Sequence, residues 1–253
     1  NILNLLLEKN DLSHRELFGT FLFLYKNKII NFLETLDSDF SKVESLINEK
    51  IIINSLKKIP YEDIILERIL TKTRKNICGR IAENKIEISS SQLELIIALG
   101  EQCFLNEYVY SLTEAEESSL NIIINGCKGN GLNEKNISIL SCYIPLYKLL
   151  TQIPSLKSFI SSNQSFKELI ELQITEPLKE VELSKSIKKL GSINDDISQK
   201  VKSQYEENPY PRWRYGSHQE SQKLSIKQVI NNEIKPNYIN KNEGEHQVKV
   251  LIA

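Results

Sequence analysis

The sequence has no methionine, a single tryptophan and only three histidines in 253 residues. The missing methionine carries no functional signal. His14, His218 and His246 lie far apart and share no metal-ligand spacing, so a histidine-based metal centre is not expected. Cysteine is sparse too. Cys78, Cys103, Cys127 and Cys142 never come closer than 15 positions, which excludes a close metal-type pair. Each sits among apolar neighbours, the setting of a reduced core thiol in a cytoplasmic protein. Glycine is scarce, at 9 residues. Gly126, Gly129 and Gly131 are spaced too loosely, with no strand before them, for a phosphate-binding loop. No apolar run approaches the roughly 18 residues of a membrane span, so no membrane partner is expected. A surplus of one charge is also missing: 32 Lys+Arg against 33 Asp+Glu leaves -1. That balance does not favour a nucleic-acid partner.

What is present is helical periodicity, with 40% hydrophobic residues to supply a core. Asp11 or Ser13 caps a predicted helix to about Leu36, with Leu17, Phe21, Leu24 and Ile29 on its apolar face. A second runs through Val43, Ile47, Ile51 and Leu56 and stops before Pro60, and a third spans about 62–82, with Arg68, Lys72, Arg74 and Lys75 on a solvated face that needs no functional reading. Ser89, Ser90 and Ser91 offer caps for a helix through Tyr110. Gly100 inside it costs about 1 kcal/mol in propensity, which close approach of a neighbouring helix would explain. Thr113 and Glu116 form a predicted capping box for a helix to about Cys127. Asn133 opens another, Pro145 and Pro154 interrupt the pattern, and a short helix near 156–160 precedes a periodic run over 166–174. Glu176 and Pro177 read as a fresh start, with proline in the first turn, for a helix to about Leu190. Asp195 opens the last one. No repeat of solenoid length matches itself. The predicted fold class is mainly α: an irregular antiparallel helical array or bundle over residues 1–200.

Two features beyond that array stand out. The stretch 204–214, QYEENPYPRWR, ends a helix at Pro209 and Pro211 and holds Asn208 and Tyr210 in extended backbone. At 248–253, VKVLIA is a continuous apolar run, as in a parallel strand buried on both faces. A strand without a partner cannot satisfy its own backbone groups. The connector resembles the linker of bacterial proteins in which a helical, tetratricopeptide-like N-terminal region precedes a class I S-adenosylmethionine-dependent methyltransferase domain. The segments EQCFLNEYV at 101–109 and QITEP at 173–177 are also similar to the helical part of that family. The resemblance covers roughly residues 60–253. It implies that 201–253 is the linker and first strand of a truncated α/β domain, with the cofactor-binding loop beyond Ala253. This chain alone is then expected to hold no cofactor and to have no methyltransferase activity; S-adenosylmethionine is implied for the complete protein.

The expected function is therefore an accessory helical region that presents substrate or mediates association. The alternative is a non-enzymatic helical protein-interaction scaffold. Expected partners are the missing C-terminal domain and either a protein or peptide substrate or a second copy of the chain. Tyr205, Tyr210 and Trp213 either form a lid over the cofactor site of the complete protein or pin the helical region to the missing domain. Gln102, Asn106, Tyr143 and Tyr147 are candidates for the wall of a substrate groove. The competing reading makes Gln102 and Asn106 part of an interhelical hydrogen-bond network, and Tyr143 and Tyr147 core residues. No nucleophile–base–acid arrangement can be picked out, so no catalytic residue is assigned.

Overall fold

Side-chain caps set most helix starts in the computed structural model, which describes residues 2–38, 50–188 and 195–207. Its helices are α1 (Ile2–Glu8), α2 (Phe18–Ser38), α3 (Lys50–Lys58), α4 (Ile64–Ala82), α5 (Ser90–Leu105), α6 (Glu114–Lys128), α7 (Glu134–Ser141), α8 (Gln164–Ile170), α9 (Glu176–Ser186) and α10 (Asp196–Glu207). Single 3-10 turns lie at His14–Leu17, Leu146–Thr151 and Pro154–Ser158. Asp63 accepts from the amides of Ile65 and Leu66, which fixes the start of α4. Ser89 with Gln92, and Thr113 with Glu116, form complete capping boxes on α5 and α6. Asn133 and Asp195 cap α7 and α10 by accepting from the Asn136 and Ser198 amides, without the reciprocal bond of a capping box.

The mainly α, irregular helical array read from the sequence is what the structure shows, and no strand occurs among the described residues. The chain divides into two units, 1–216 and 217–253. The second unit and the expected strand at 248–253 lie outside the described residues, as do Tyr210 and Trp213. No helix among the described residues is long and apolar enough to cross a membrane.

Helix α5 is the centre of the first unit. It is buried on almost every side, from Gln92 and Leu93 to Cys103 and Phe104, as an all-round hydrophobic helix must be. Helices α3, α7 and α8 pack around it, while α4 contacts α2, α6 and α7. Helix α1, which hydrophobic periodicity did not predict, buries Leu3 and Leu7 and packs on α3. Helix α5 stops at Leu105, short of the expected Tyr110. Glu107 and Tyr108 adopt φ of 56° and 57°, and the Tyr108 amide closes back on the Cys103 carbonyl at 2.8 Å.

The predicted break before Pro177 is not a break. Helices α8 and α9 form one continuous helix joined by a π turn at Glu171–Thr175. Pro177 has no N–H to return to the Gln173 carbonyl, and its ring would crowd that carbonyl in a regular helix. Widening the preceding turn relieves both problems.

Gly100 behaves as its position suggested. A Cβ there would collide with the Ser141 hydroxyl and lie 3.2 Å from Ser141 Cβ. That hydroxyl donates to the Ser138 carbonyl at 2.6 Å. Gly100→Ala is expected to destabilise the protein by about 1 kcal/mol, because overpacking of about 1–3 kcal/mol outweighs the helix-propensity gain. Adding Ser141→Ala removes the obstructing oxygen. Chemical denaturation should therefore find the double variant more stable than the sum of the two single changes.

Candidate functional site

A buried polar cluster centres on Arg74 of α4, which is 1% exposed. Its guanidinium carbon lies 4.1 Å from the Tyr143 ring centroid and 5.7 Å from that of Tyr110. Its Nη2 donates to the Ser111 carbonyl at 2.7 Å and to Glu116 Oε1 at 3.5 Å. Glu116 Oε1 also accepts from the Tyr143 hydroxyl at 2.9 Å. Glu116 Oε2 takes the Thr113 amide at 2.9 Å and its hydroxyl at 2.8 Å. Burial pushes the Glu116 carboxyl up. The Thr113 hydroxyl, Tyr143, the Thr113 amide and the Arg74 charge outweigh that push and hold it below its ordinary value. One residue pair thus ties α4, α6 and the turn after α7 together.

Gln102 belongs to a different network. With its amide turned so that nitrogen donates, it bonds the Leu56 and Ile59 carbonyls at 2.9 and 2.8 Å and accepts from the Tyr61 amide at 3.0 Å. It therefore closes the open C-terminal carbonyls of α3. Next to it, Glu101 is 1% exposed and lies 3.9 Å from Lys57 Nζ. Asn106 is half-buried at the C-cap of α5 beside Tyr110, and Tyr147 is half-buried in the turn Leu146–Thr151. Tyr143 is buried against Arg74 and Glu116. The structure therefore places Gln102 and Tyr143 in two separate networks. Tyr205 is exposed on α10, in line with exposed Ile197 and Val201.

All four cysteines are free and buried. Burial pushes the Cys78 thiol up to about 11, and moves Cys127 and Cys142 upward as well. Protonated thiols are weak nucleophiles. Among the described residues, no group of three or more His, Cys, Asp and Glu side chains is placed to hold a metal ion.

An open groove of about 630 Å³ lies elsewhere on the surface. Its walls are Ile88, Leu93, Leu132 and Phe159, and its rim carries Glu87, Asn133, Glu134 and Lys135. Glu134 accepts from the Ser161 hydroxyl, while Glu87 and Lys135 make no ion pair among the described residues. Beside Leu93, Glu94 accepts from Asn163 at 3.3 Å. None of these residues stood out as a functional candidate in the sequence. The signal that could have found them is the run KIEIS at 85–89, whose apolar and polar residues alternate between two helices. In the structure Lys85, Glu87 and Ser89 are exposed while Ile86 and Ile88 are half-buried against the core, the two-residue period of an extended chain. Comparison with protein-family models, curated proteins and solved structures gives no match.

Proposed function

We propose that the helical body is a protein-interaction scaffold whose groove between residues 87–93, 132–135 and Phe159 takes a segment of another polypeptide. The observation that carries this reading is the groove itself: apolar walls, a few charged groups at the rim and a volume of about 630 Å³. That volume falls within the range of binding clefts, and the open shape suits an extended chain rather than an enclosed small molecule. The buried Arg74 and Gln102 networks hold the helices around it in one arrangement. Selection of short displayed peptides against the chain tests the proposal. Selected peptides should lose about tenfold or more in affinity on Leu132→Glu, a cost of about 1.4 kcal/mol, while circular dichroism stays unchanged. Selected peptides that ignore the substitution would place binding elsewhere and overturn the assignment.

A second reading rests on the 204–214 connector and on the exposed stripe Ile197, Val201 and Tyr205 that leads into it. In that reading the scaffold serves a class I methyltransferase domain, and the groove presents the methyl acceptor. Calorimetry with S-adenosylmethionine tests it. Binding to the polypeptide as encoded, but not to residues 1–253, supports the reading; binding to neither removes it.

A further inference from the structure

The groove has one wall that is backbone. Among the described residues, Ile86, Glu87 and Ile88 make no hydrogen bond through either main chain or side chain. On one side the Lys85 amide is engaged by the Arg80 carbonyl at 3.0 Å. On the other, Ser89 is locked into its capping box with Gln92 at 2.9 Å. The unpaired stretch is thus held at both ends, with Ile86 and Ile88 anchored against the core. Because amide groups alternate from side to side along an extended chain, Ile86 and Ile88 turn theirs to the same flank. Residues 86–88 are not a strand, but their backbone is unpaired as at a sheet edge, and Glu87 and Ile88 line the groove.

We propose that the groove binds its partner as an added strand: an extended peptide in which apolar and basic residues alternate, paired with the backbone of residues 86–88. This deepens the scaffold reading and rests on it. The chemistry of the partner follows from the lining. Apolar side chains on one face of the peptide enter the cleft between Leu93, Leu132 and Phe159. Basic side chains meet Glu87 and Glu134, with Glu94 close by; Lys135 is the one cation among the lining residues, and Lys85, exposed on the same side as Glu87, is paired with Glu83 at 2.7 Å. Main-chain hydrogen bonds supply the affinity and the alternating side chains supply the choice, as in other cases of strand addition. Pairing with a second copy of the same edge is the less favoured occupant. The register centred on Glu87 sets two carboxylates directly opposite each other.

The test uses four five-residue probes with blocked ends: alternating valine and lysine, alternating valine and glutamate, and the valine–lysine peptide N-methylated at every second residue in each of the two registers. Each is titrated into the intact chain and followed by fluorescence anisotropy. The valine–lysine probe should bind about tenfold more tightly than the valine–glutamate probe, with the preference reversed by Glu87→Lys. One of the two N-methylation registers should abolish binding, because it removes the amides that face the edge. Equal binding of both methylated registers and the unmethylated probe overturns strand addition. If all four probes fail while displayed peptides still lose affinity on Leu132→Glu, the strand mode falls and the scaffold reading stands. Concentration-dependent dimerisation abolished by Glu87→Pro would assign the edge to a second copy instead and overturn the peptide partner.

Discussion

Arg74→Ala is expected to destabilise the protein by about 3–5 kcal/mol, because it leaves the buried Glu116 carboxylate, the buried Cys142 carbonyl, now bonded by Arg74 Nη1 at 3.4 Å, and the part-buried Ser111 carbonyl without their cation. For a domain whose total stability is of the order of 5–15 kcal/mol, that is a large share. The residues left behind are specific: Glu116, the Ser111 carbonyl and the Tyr143 ring face. Glu116→Gln should cost less, because an amide oxygen can still accept from Thr113, where the carboxylate now accepts at 2.8 and 2.9 Å. In Arg74→Met with Glu116→Gln, neither member remains charged, and the pair should cost less than the sum of the single changes. The acid limb gives an independent check. Glu116 has its carboxyl depressed in the folded state, so its contribution is full above the unfolded value of about 4.3 and is lost as pH falls through the folded value. Urea titrations from neutral to acid pH should show a shallower decline in stability for Glu116→Gln than for the wild type. Parallel curves would mean that the carboxylate is not carrying the linkage.

Gln173→Leu is expected to cost about 3 kcal/mol, although it places a larger apolar side chain in a fully buried site. The amide nitrogen of Gln173 donates to the carbonyls of Gly100 at 3.0 Å and Ser141 at 3.3 Å. Its oxygen accepts from the Tyr108 hydroxyl at 3.2 Å and from the Leu146 amide at 3.3 Å. Leucine answers none of the four. The widened turn at Glu171–Thr175 aims this one side chain into the contact where α5 meets α7. Gln173→Glu separates hydrogen bonding from shape. A carboxylate there faces two carbonyl oxygens, so its folded value is raised and the variant is relatively most stable below about pH 4, losing stability as pH rises. Measured against the wild type at each pH, Gln173→Glu should be the worse of the two variants at pH 7 and should close the gap in acid. If Gln173→Leu proves neutral, the π turn is a consequence of Pro177 alone.

The sequence made helix starts legible because a cap is a local event. Ser89 with Gln92, Thr113 with Glu116, and Asn133 act through hydrogen bonds within three residues, and all three were predictable. Helix ends depended on tertiary packing. Nothing local distinguishes Leu105 from Tyr110 as a stopping point, and the positive φ at Glu107 and Tyr108 is held by the surroundings. Pro177 read as a start because proline is welcome in a first turn. A π turn that carries the chain past it has no comparable sequence mark. Gly100 was legible for the opposite reason: a glycine in the middle of an apolar helix conflicts with propensity, and a neighbour had to resolve the conflict. Arg74 illustrates the limit for polar residues. On periodicity alone it belonged to a solvated face with Arg68, Lys72 and Lys75, yet it is the largest fully buried side chain among the described residues. Its partners are 42 and 69 positions away, at Glu116 and Tyr143, beyond any window of local pattern.

The four sheltered thiols make the native surface silent toward maleimides. A lone cysteine put in place of Lys135, at the rim of the groove, would then be the one fast-reacting position on the folded body. A dye attached there would report occupancy of the cleft by its brightness, without first removing any natural sulfur from the protein.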